Sequence, residues 1–308
     1  MATEFVTDER CQPRGRCNLC GAAEARELYT ARDRLGNSGQ TFSISECVGC
    51  GVRRTLPEMT DAEMARFYPG DYWGAAAEPT EDWIRRSQSD KVRFLLRCGL
   101  NGGRILDVGC GSGFFLRALN PQYWERVGIE TGEAATTAAR RALGDQQVLS
   151  GTLIEAHLEA SSFDVITFWS VVEHTNNPRE NLLEARRLLR GGGSLVVQVP
   201  NAGSYQARYF EGDWFALDAP RHRYHFTTGS LQRLLTETGF TPYHLTQFSR
   251  AHNAHALKQS LKTRLIVNAN GLLARTLFYL SLPLIKPADM LMTVLGQGAT
   301  ITVASRAK

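Results

Sequence analysis

The chain has 308 residues, 43% hydrophobic and 21% charged, with 35 Lys and Arg against 31 Asp and Glu for a net charge of +4. That length holds one full core plus a smaller module, and the composition excludes collagen-like, disordered and coiled-coil chains. The charge is uneven: residues 251–308 carry seven Lys or Arg against one acid, so an anionic partner is expected to meet the C-terminal part.

The first ten residues include Glu4, Asp8 and Glu9 and no apolar run, so no secretory signal is expected and the protein is read as cytoplasmic. In a reducing compartment, seven cysteines read as metal ligands or buried thiols. Cys17-Asn18-Leu19-Cys20-Gly21 is followed, with 26 residues between Cys20 and Cys47, by Cys47-Val48-Gly49-Cys50-Gly51. Each Cys-x-x-Cys turn places two thiolates on one side of an ion, and the following glycine supplies a left-handed backbone. Cys17, Cys20, Cys47 and Cys50 are therefore expected to hold a structural Zn²⁺ in a zinc-ribbon-like module at 1–56, with Cys11 left free. Four sulfurs leave no open position for water, so this metal folds and does not catalyse. Residues 57–102 read as a linker and helical cap. Tyr68, Tyr72 and Trp73 make the linker aromatic, and Trp83–Cys98 has the spacing of an amphipathic helix.

From residue 103 onward, apolar strand-like runs alternate with helical patterns, as in βαβ units of a parallel sheet. Strands are expected at Arg104–Val108, Arg126–Glu130, Gln147–Ser150, Asp164–Trp169 and Ser194–Val199. A helix opened by Pro178 should run through Leu189 and stop at Gly191-Gly192-Gly193, and one opened by Ser230 should stop at Gly239. Pro242–Ser249 and Thr300–Ser305 are expected to pair antiparallel at the sheet edge, with 251–298 a helical insertion. Its apolar run Thr276–Ile285 contains Pro283 and falls short of the ~18–20 residues that span a bilayer, so no transmembrane helix is expected. The insertion reads as core-packing helices, with a lid over an amphipathic acceptor or contact with an anionic membrane surface as the alternatives.

The first strand of this region ends in Asp107-Val108-Gly109-Cys110-Gly111-Ser112-Gly113, a turn without bulk that opens a helix at Phe114. Such a turn lets backbone touch a ligand, and the helix start is expected to offer free N–H groups. A dinucleotide fingerprint places its third glycine at the position of Phe114, one residue later than Gly113. A carboxylate at Asp107 would repel a pyrophosphate and suits a ligand with an ammonium group. Ile105–Gly113 resembles the first motif of class I S-adenosylmethionine-dependent methyltransferases. The resemblance implies an α/β, Rossmann-like fold with a seven-stranded, mostly parallel sheet and one antiparallel strand, carried by 103–308. It implies S-adenosylmethionine as cofactor, held by Asp107, Gly109, Cys110, Gly111 and Gly113. Val127-Gly128-Ile129-Glu130 is similar to the second strand end, where Glu130 would bind the ribose hydroxyls. The resemblance places adenine near Thr152 and Leu153, and the methionine end near Trp169 and Ser170.

Methyl transfer needs an aligned nucleophile and, for a hydroxyl acceptor, a proton acceptor. His174 and Glu173, after the fourth strand, and His222, in the later segment, are the candidates, with His225 a weaker one. Arg221 and Arg223 would suit an anionic acceptor and disfavour a metal on His222, His225 and Asp218. The expected function is methylation, at oxygen, of a small metabolite, natural product or glycan precursor. One alternative is an RNA methyltransferase with a zinc module, but residues 1–60 balance eight Arg against eight acids, which argues against nucleic acid. The other is a nucleotide-sugar C-methyltransferase, because a four-cysteine module ahead of such a core resembles deoxysugar C-methyltransferases. An assembly module without catalysis is a third reading, disfavoured by the intact Asp107, Glu130 and glycine turn. Oligomeric state is open.

Overall fold

A computed structural model describes residues 16–35, 39–68, 79–269 and 271–308. Cys11, Tyr72, Trp73 and the first ten residues, all discussed above, lie outside them. In chain order the elements are β1 (Ala25–Arg32), β2 (Thr41–Cys47), β3 (Arg53–Leu56), α1 (Asp61–Ala65), α2 (Glu81–Arg97), β4 (Gly103–Val108), α3 (Phe114–Ala118), β5 (Trp124–Glu130), α4 (Glu133–Leu143), β6 (Val148–Ser150) and β7 (Phe163–Trp169). There follow α5 (Pro178–Leu188), β8 (Leu189–Pro200), α6 (Tyr205–Phe210), β9 (Tyr224–His225), α7 (Thr228–Glu237), β10 (Phe240–Thr246), α8 (Asn253–Lys262), α9 (Leu272–Ser281), α10 (Ile285–Val294) and β11 (Thr300–Ala307).

Local chemistry sets the helix ends. Thr80 caps α2 by accepting from the Trp83 amide, and Glu81 and Asp82 follow where the helix dipole favours acids. Asn177 caps α5 with Pro178 at its first position, and Thr227 and Ser230 form a reciprocal capping box on α7.

The main sheet has seven strands in the order β10-β11-β8-β7-β4-β5-β6. β4, β5, β6, β7 and β8 pair in parallel, and β11 runs antiparallel to both β8 and β10. The expected mostly parallel sheet with one antiparallel strand is what forms. One boundary differs: α5 ends at Leu188 and β8 starts at once, so Gly191-Gly192-Gly193 lies inside the strand. There the register with β7 jumps from Phe163↔Leu189 to Val165↔Ser194, and the glycines form the extra loop of a bulge. One core cluster, with Phe163, Ile166, Phe168, Val197 and Ile301, runs on to Leu182 and Leu188 of α5 and Leu231 and Leu235 of α7. Another gathers Phe94 and Leu95 of α2, Leu116 of α3 and Ala139 and Leu143 of α4.

β1, β2 and β3 form a second, antiparallel sheet, and its fourth strand is β9 from far along the chain, with Arg53 opposite His225 and Arg54 opposite Tyr224. Cys17, Leu19, Cys47 and Val52 join the same core cluster as the central strands of the main sheet. A third cluster joins Phe42 and Ile44 of this small sheet to Phe67, Phe210, Trp214, Leu257 of α8 and Ile285 of α10.

The insertion departs most from expectation. Only Phe278, Ile285 and Asp289 are buried along α9 and α10, so most of its apolar side chains are not core. Leu272–Val294 is one continuous helical run of 23 residues, by length and composition apolar enough to cross a bilayer, with 17% of its most apolar window buried. The reading of a short, interrupted apolar run is corrected here: Pro283 sits at the start of a tight helical turn, where its missing N–H costs no bond.

Candidate active site

The parallel strands β4, β5 and β7 end side by side, and the loops beyond their C-terminal ends carry the residues singled out in the sequence. Gly109, Gly111 and Gly113 all have positive φ, at 67°, 55° and 77°. A Cβ on Gly109 would stand 2.6 Å from the Val171 side chain, whereas one on Gly111 would meet nothing within 4 Å, so the turn presents an open face at Gly111. Cys110 points inward against Gly128, and burial pushes its thiol far up, so only its backbone can face a ligand. Within the turn itself, Gly109 and Cys110 both donate to the Ile129 carbonyl, Gly111 donates to Glu130 and Gly113 to the Cys110 carbonyl. These four amides are engaged inside the protein, so at these positions the turn contributes bareness and shape.

Glu130 ties the loops together: Oε2 accepts from the Gly111 amide and Oε1 from the Gly132 amide, each at 2.8 Å. Asp107 is 2% exposed and accepts from the Thr167 hydroxyl at 2.6 Å. Burial raises its carboxyl to about 7 against the opposing pull of Lys91 and Thr167, and burial lowers Lys91 to about 8. Lys91 also lies over the rings of Trp169 and Phe115. A ligand with an ammonium group fits this carboxylate, and a ribose fits the Glu130 bridge. Lys91 and Thr167 were not anticipated. The signal for Lys91 was a lysine seven residues after Ile84 and four before Leu95, on the apolar stripe of its helix. Ser170, after β7, has a positive φ of 57° and donates to the Gln198 carbonyl. Thr152 lies on an exposed turn bonded to Glu155, and Leu153 is buried in the core. Beside Trp169 opens a cavity of about 250 Å³, lined by Lys91, Phe94, Arg97, Gln198, Phe248 and Thr302 among others.

A second group of side chains gathers just past β7. Glu173 is 1% exposed, both its carboxylate oxygens lack a partner, and burial raises it to about 8. His174 and His222 stand edge to face with ring centroids 4.5 Å apart. His174 Nδ1 lies 3.1 Å from the Arg221 carbonyl and His222 Nδ1 lies 3.0 Å from the Ala216 carbonyl. A carbonyl only accepts, so each Nδ1 carries the hydrogen and each Nε2 keeps its lone pair. Burial lowers both imidazoles, His174 to about 3, so both are neutral. Residues from three separated stretches build this group: Tyr68 near His174, Glu173 and His174 after β7, and Ala216, Asp218 and His222 before β9.

The remaining candidates have structural jobs. His225 Nε2 lies 2.9 Å from the Thr55 hydroxyl, where β9 pairs with β3. Arg221 is 0% exposed, bonds Asp218 through Nε and Nη2, and bonds Asp33 and the Phe67 carbonyl through Nη1. Arg223 bonds Asp61 and the carbonyls of His174 and Met59. The expectation that these arginines meet an anionic acceptor is corrected, because their guanidinium groups are spent on joining 57–68 to the site.

At the N-terminal sheet, Cys17 and Cys50 sulfurs are 3.7 Å apart and Cys20 and Cys47 sulfurs 3.5 Å, with all four within 4.8 Å of one another. Gly21 and Gly51 take the expected positive φ, at 75° and 70°. A tetrahedral ion with Zn–S near 2.3 Å sets sulfurs about 3.8 Å apart, so the cluster fits zinc.

A family model described as a methyltransferase domain matches residues 81–245, just over half of the chain. A protein of Mycolicibacterium smegmatis named as a probable S-adenosylmethionine-dependent methyltransferase is 27% identical over 161 residues, 51% of this chain and 59% of that protein. A ubiquinone biosynthesis O-methyltransferase of Hahella chejuensis is 34% identical over 110 residues, 34% of this chain and 46% of that one. The chain thus spans about half the length of the curated relatives it matches. Among solved structures, a methyltransferase from Mesorhizobium loti is similar at 18% identity and a TM-score of 0.49, covering 71% of this chain and 97% of that one.

Proposed function

The chain belongs to the methyltransferase-domain family, and from that premise we propose that it transfers the methyl group of S-adenosylmethionine to a hydroxyl oxygen of a small-molecule acceptor. The observation that carries the cofactor half is the buried Asp107 carboxylate beside a glycine turn left open at Gly111. Asp107 would hold the ammonium end and Glu130 the ribose hydroxyls, while Trp169 and Ser170 border the methionine. When bound, the cofactor supplies a sulfonium-activated methyl carbon that needs no covalent help from the protein. The protein's part is to align the acceptor and remove its proton. His174 and His222 suit the second task, since each presents a neutral Nε2 lone pair fixed in place by a carbonyl on the other nitrogen. The likeness to an O-methyltransferase supports oxygen as the atom methylated. Zn²⁺ on Cys17, Cys20, Cys47 and Cys50 is proposed as structural, and the reaction is placed in the cytoplasm.

Isothermal titration of the zinc-loaded protein with S-adenosylhomocysteine tests the cofactor half. One site per chain is expected, weakened at least tenfold in Asp107→Ala; no binding, or equal binding by the variant, overturns it. Incubation with methyl-labelled cofactor and a panel of phenols, catechols and glycosides tests the acceptor half, and label recovered on carbon or nitrogen overturns oxygen transfer.

A further inference from the structure

We propose that Glu173, His174 and His222 bind one divalent transition-metal ion past the end of β7, where it would ligate and acidify the acceptor hydroxyl; this rests on the oxygen-transfer reading above. One donor atom from each residue lies within 4.8 Å of the other two. An occupied site with ligands about 2.1 Å from the ion has edges near 3–3.5 Å, so small side-chain rotations close it. Two further observations point to an ion. Both oxygens of Glu173 are buried and unpartnered, an arrangement a protein rarely tolerates without a charge to receive it. Both imidazoles donate Nδ1–H to backbone carbonyls, the support that ligating histidines have, and leave Nε2 to the metal.

The objection that Arg221 and Arg223 would repel a cation falls. Arg221 is neutralised by Asp218 and Asp33, and Arg223 pairs with Asp61. Two imidazoles and one carboxylate favour Mn²⁺, Fe²⁺, Co²⁺, Ni²⁺ or Zn²⁺ over Mg²⁺ and Ca²⁺, and leave positions open for an acceptor oxygen. With both Nε2 lone pairs on the ion, His174 and His222 act as ligands in place of the base role above, and the acceptor hydroxyl, acidified by the ion, gives its proton to solvent. Its oxygen lone pair then forms the C–O bond as the C–S bond breaks, and that electron pair stays on sulfur as a neutral thioether.

The test uses the full chain with zinc in its cysteine site, desalted and titrated with Mn²⁺, read by electron paramagnetic resonance and elemental analysis. One Mn²⁺ beyond the zinc is expected, with affinity at least tenfold weaker in Glu173→Gln and in His222→Asn, each checked by circular dichroism. No Mn²⁺ bound by wild type, or equal affinity in folded variants, overturns the site. Should both variants fail to fold, the wild-type stoichiometry decides alone. S-adenosylhomocysteine binding is measured on the same samples. Cofactor bound without Mn²⁺ sinks only this inference, whereas no cofactor binding sinks the methyltransferase reading whatever the metal does.

We infer separately that the helical run Leu272–Val294 rests on an anionic bilayer surface. Leu273, Leu277, Leu280, Leu284 and Leu291 recur at helical spacing and are all exposed, beside exposed Leu272 at 85%. Lys258 and Lys262 of α8 and Arg275 and Lys286 of the run itself are exposed, and Asp289, the one acid of 251–308, is buried. An exposed apolar stripe on a segment with seven Lys or Arg against one buried acid suits a surface of anionic headgroups over hydrocarbon. A crossing helix would put its two ends on opposite sides, yet α8 before it and β11 after it pack into the same body. Co-sedimentation of the full chain with phosphatidylglycerol-containing vesicles is expected, at least fivefold above pure phosphatidylcholine and weakened by salt, and at least tenfold lower in Leu273→Asp/Leu280→Asp. Equal partition to both vesicle types, no sedimentation, or a dimer in solution that the same variant dissolves overturns it.

Discussion

Asp107 couples cofactor binding to pH. Its ordinary value is 3.8 and burial raises it to about 7 in the fold, with Lys91 from α2, Thr167 from β7 and Glu130 from β5 facing it. The unfolded chain sheds this proton near 4 and the folded chain near 7, so the group's contribution to stability falls as pH rises through that window. A cationic ligand favours the ionised form, so affinity for S-adenosylmethionine should rise as pH passes about 7, and Asp107→Asn should flatten that rise in titrations at several pH values. Arg221 sets a different constraint. Its loss removes buried ion pairs with Asp33 and Asp218, and Arg221→Ala should cost about 3–5 kcal/mol in urea unfolding. The motif residues Asp107, Gly109–Gly113 and Glu130 were legible because a bare turn and a lone carboxylate have local signatures. Lys91 was legible only as a misplaced charge on an apolar stripe, and the spent state of Arg221 and Arg223 was not legible, since their partners lie far away in sequence.

At the scale of elements, the small sheet shares strand β9 with the segment that carries His222. Arg53 of β3 also bonds the Ala202 carbonyl, and Arg179 of α5 bonds the Leu19 carbonyl inside the first cysteine turn. The cysteine module is thereby joined to the segment that carries His222, whose carbonyl also accepts from the Thr55 hydroxyl. Zinc removal by chelation, or Cys17→Ser, should lower the melting temperature of the whole chain in one transition and weaken the His174–His222 pairing. Calorimetry checks this, and an unchanged main transition would make the module an independent domain. The two Cys-x-x-Cys-Gly repeats announced the cluster from sequence. That β9 completes its sheet could not be read, because a two-residue strand has no periodicity of its own.

Over the whole molecule, the last strand is the keystone. β11 lies between β8 and β10, with Ile301, Val303 and Ala304 fully buried, so truncation after Gly298 should leave an insoluble or unfolded chain in expression and circular dichroism. Burying those side chains contributes on the order of 1.5–3 kcal/mol for each larger one. The sequence by itself determined the alternation of strand and helix, the bare turn with its carboxylates, and the paired cysteine turns, because each is written in residues close together along the chain. Only the tertiary structure decided that Glu173, His174 and His222 meet while His225 and the arginines turn away to structural partners, and that the apolar insertion stays on the surface. Those outcomes depend on which distant segments compete for the same space and the same hydrogen bonds, and local pattern carries no record of that competition.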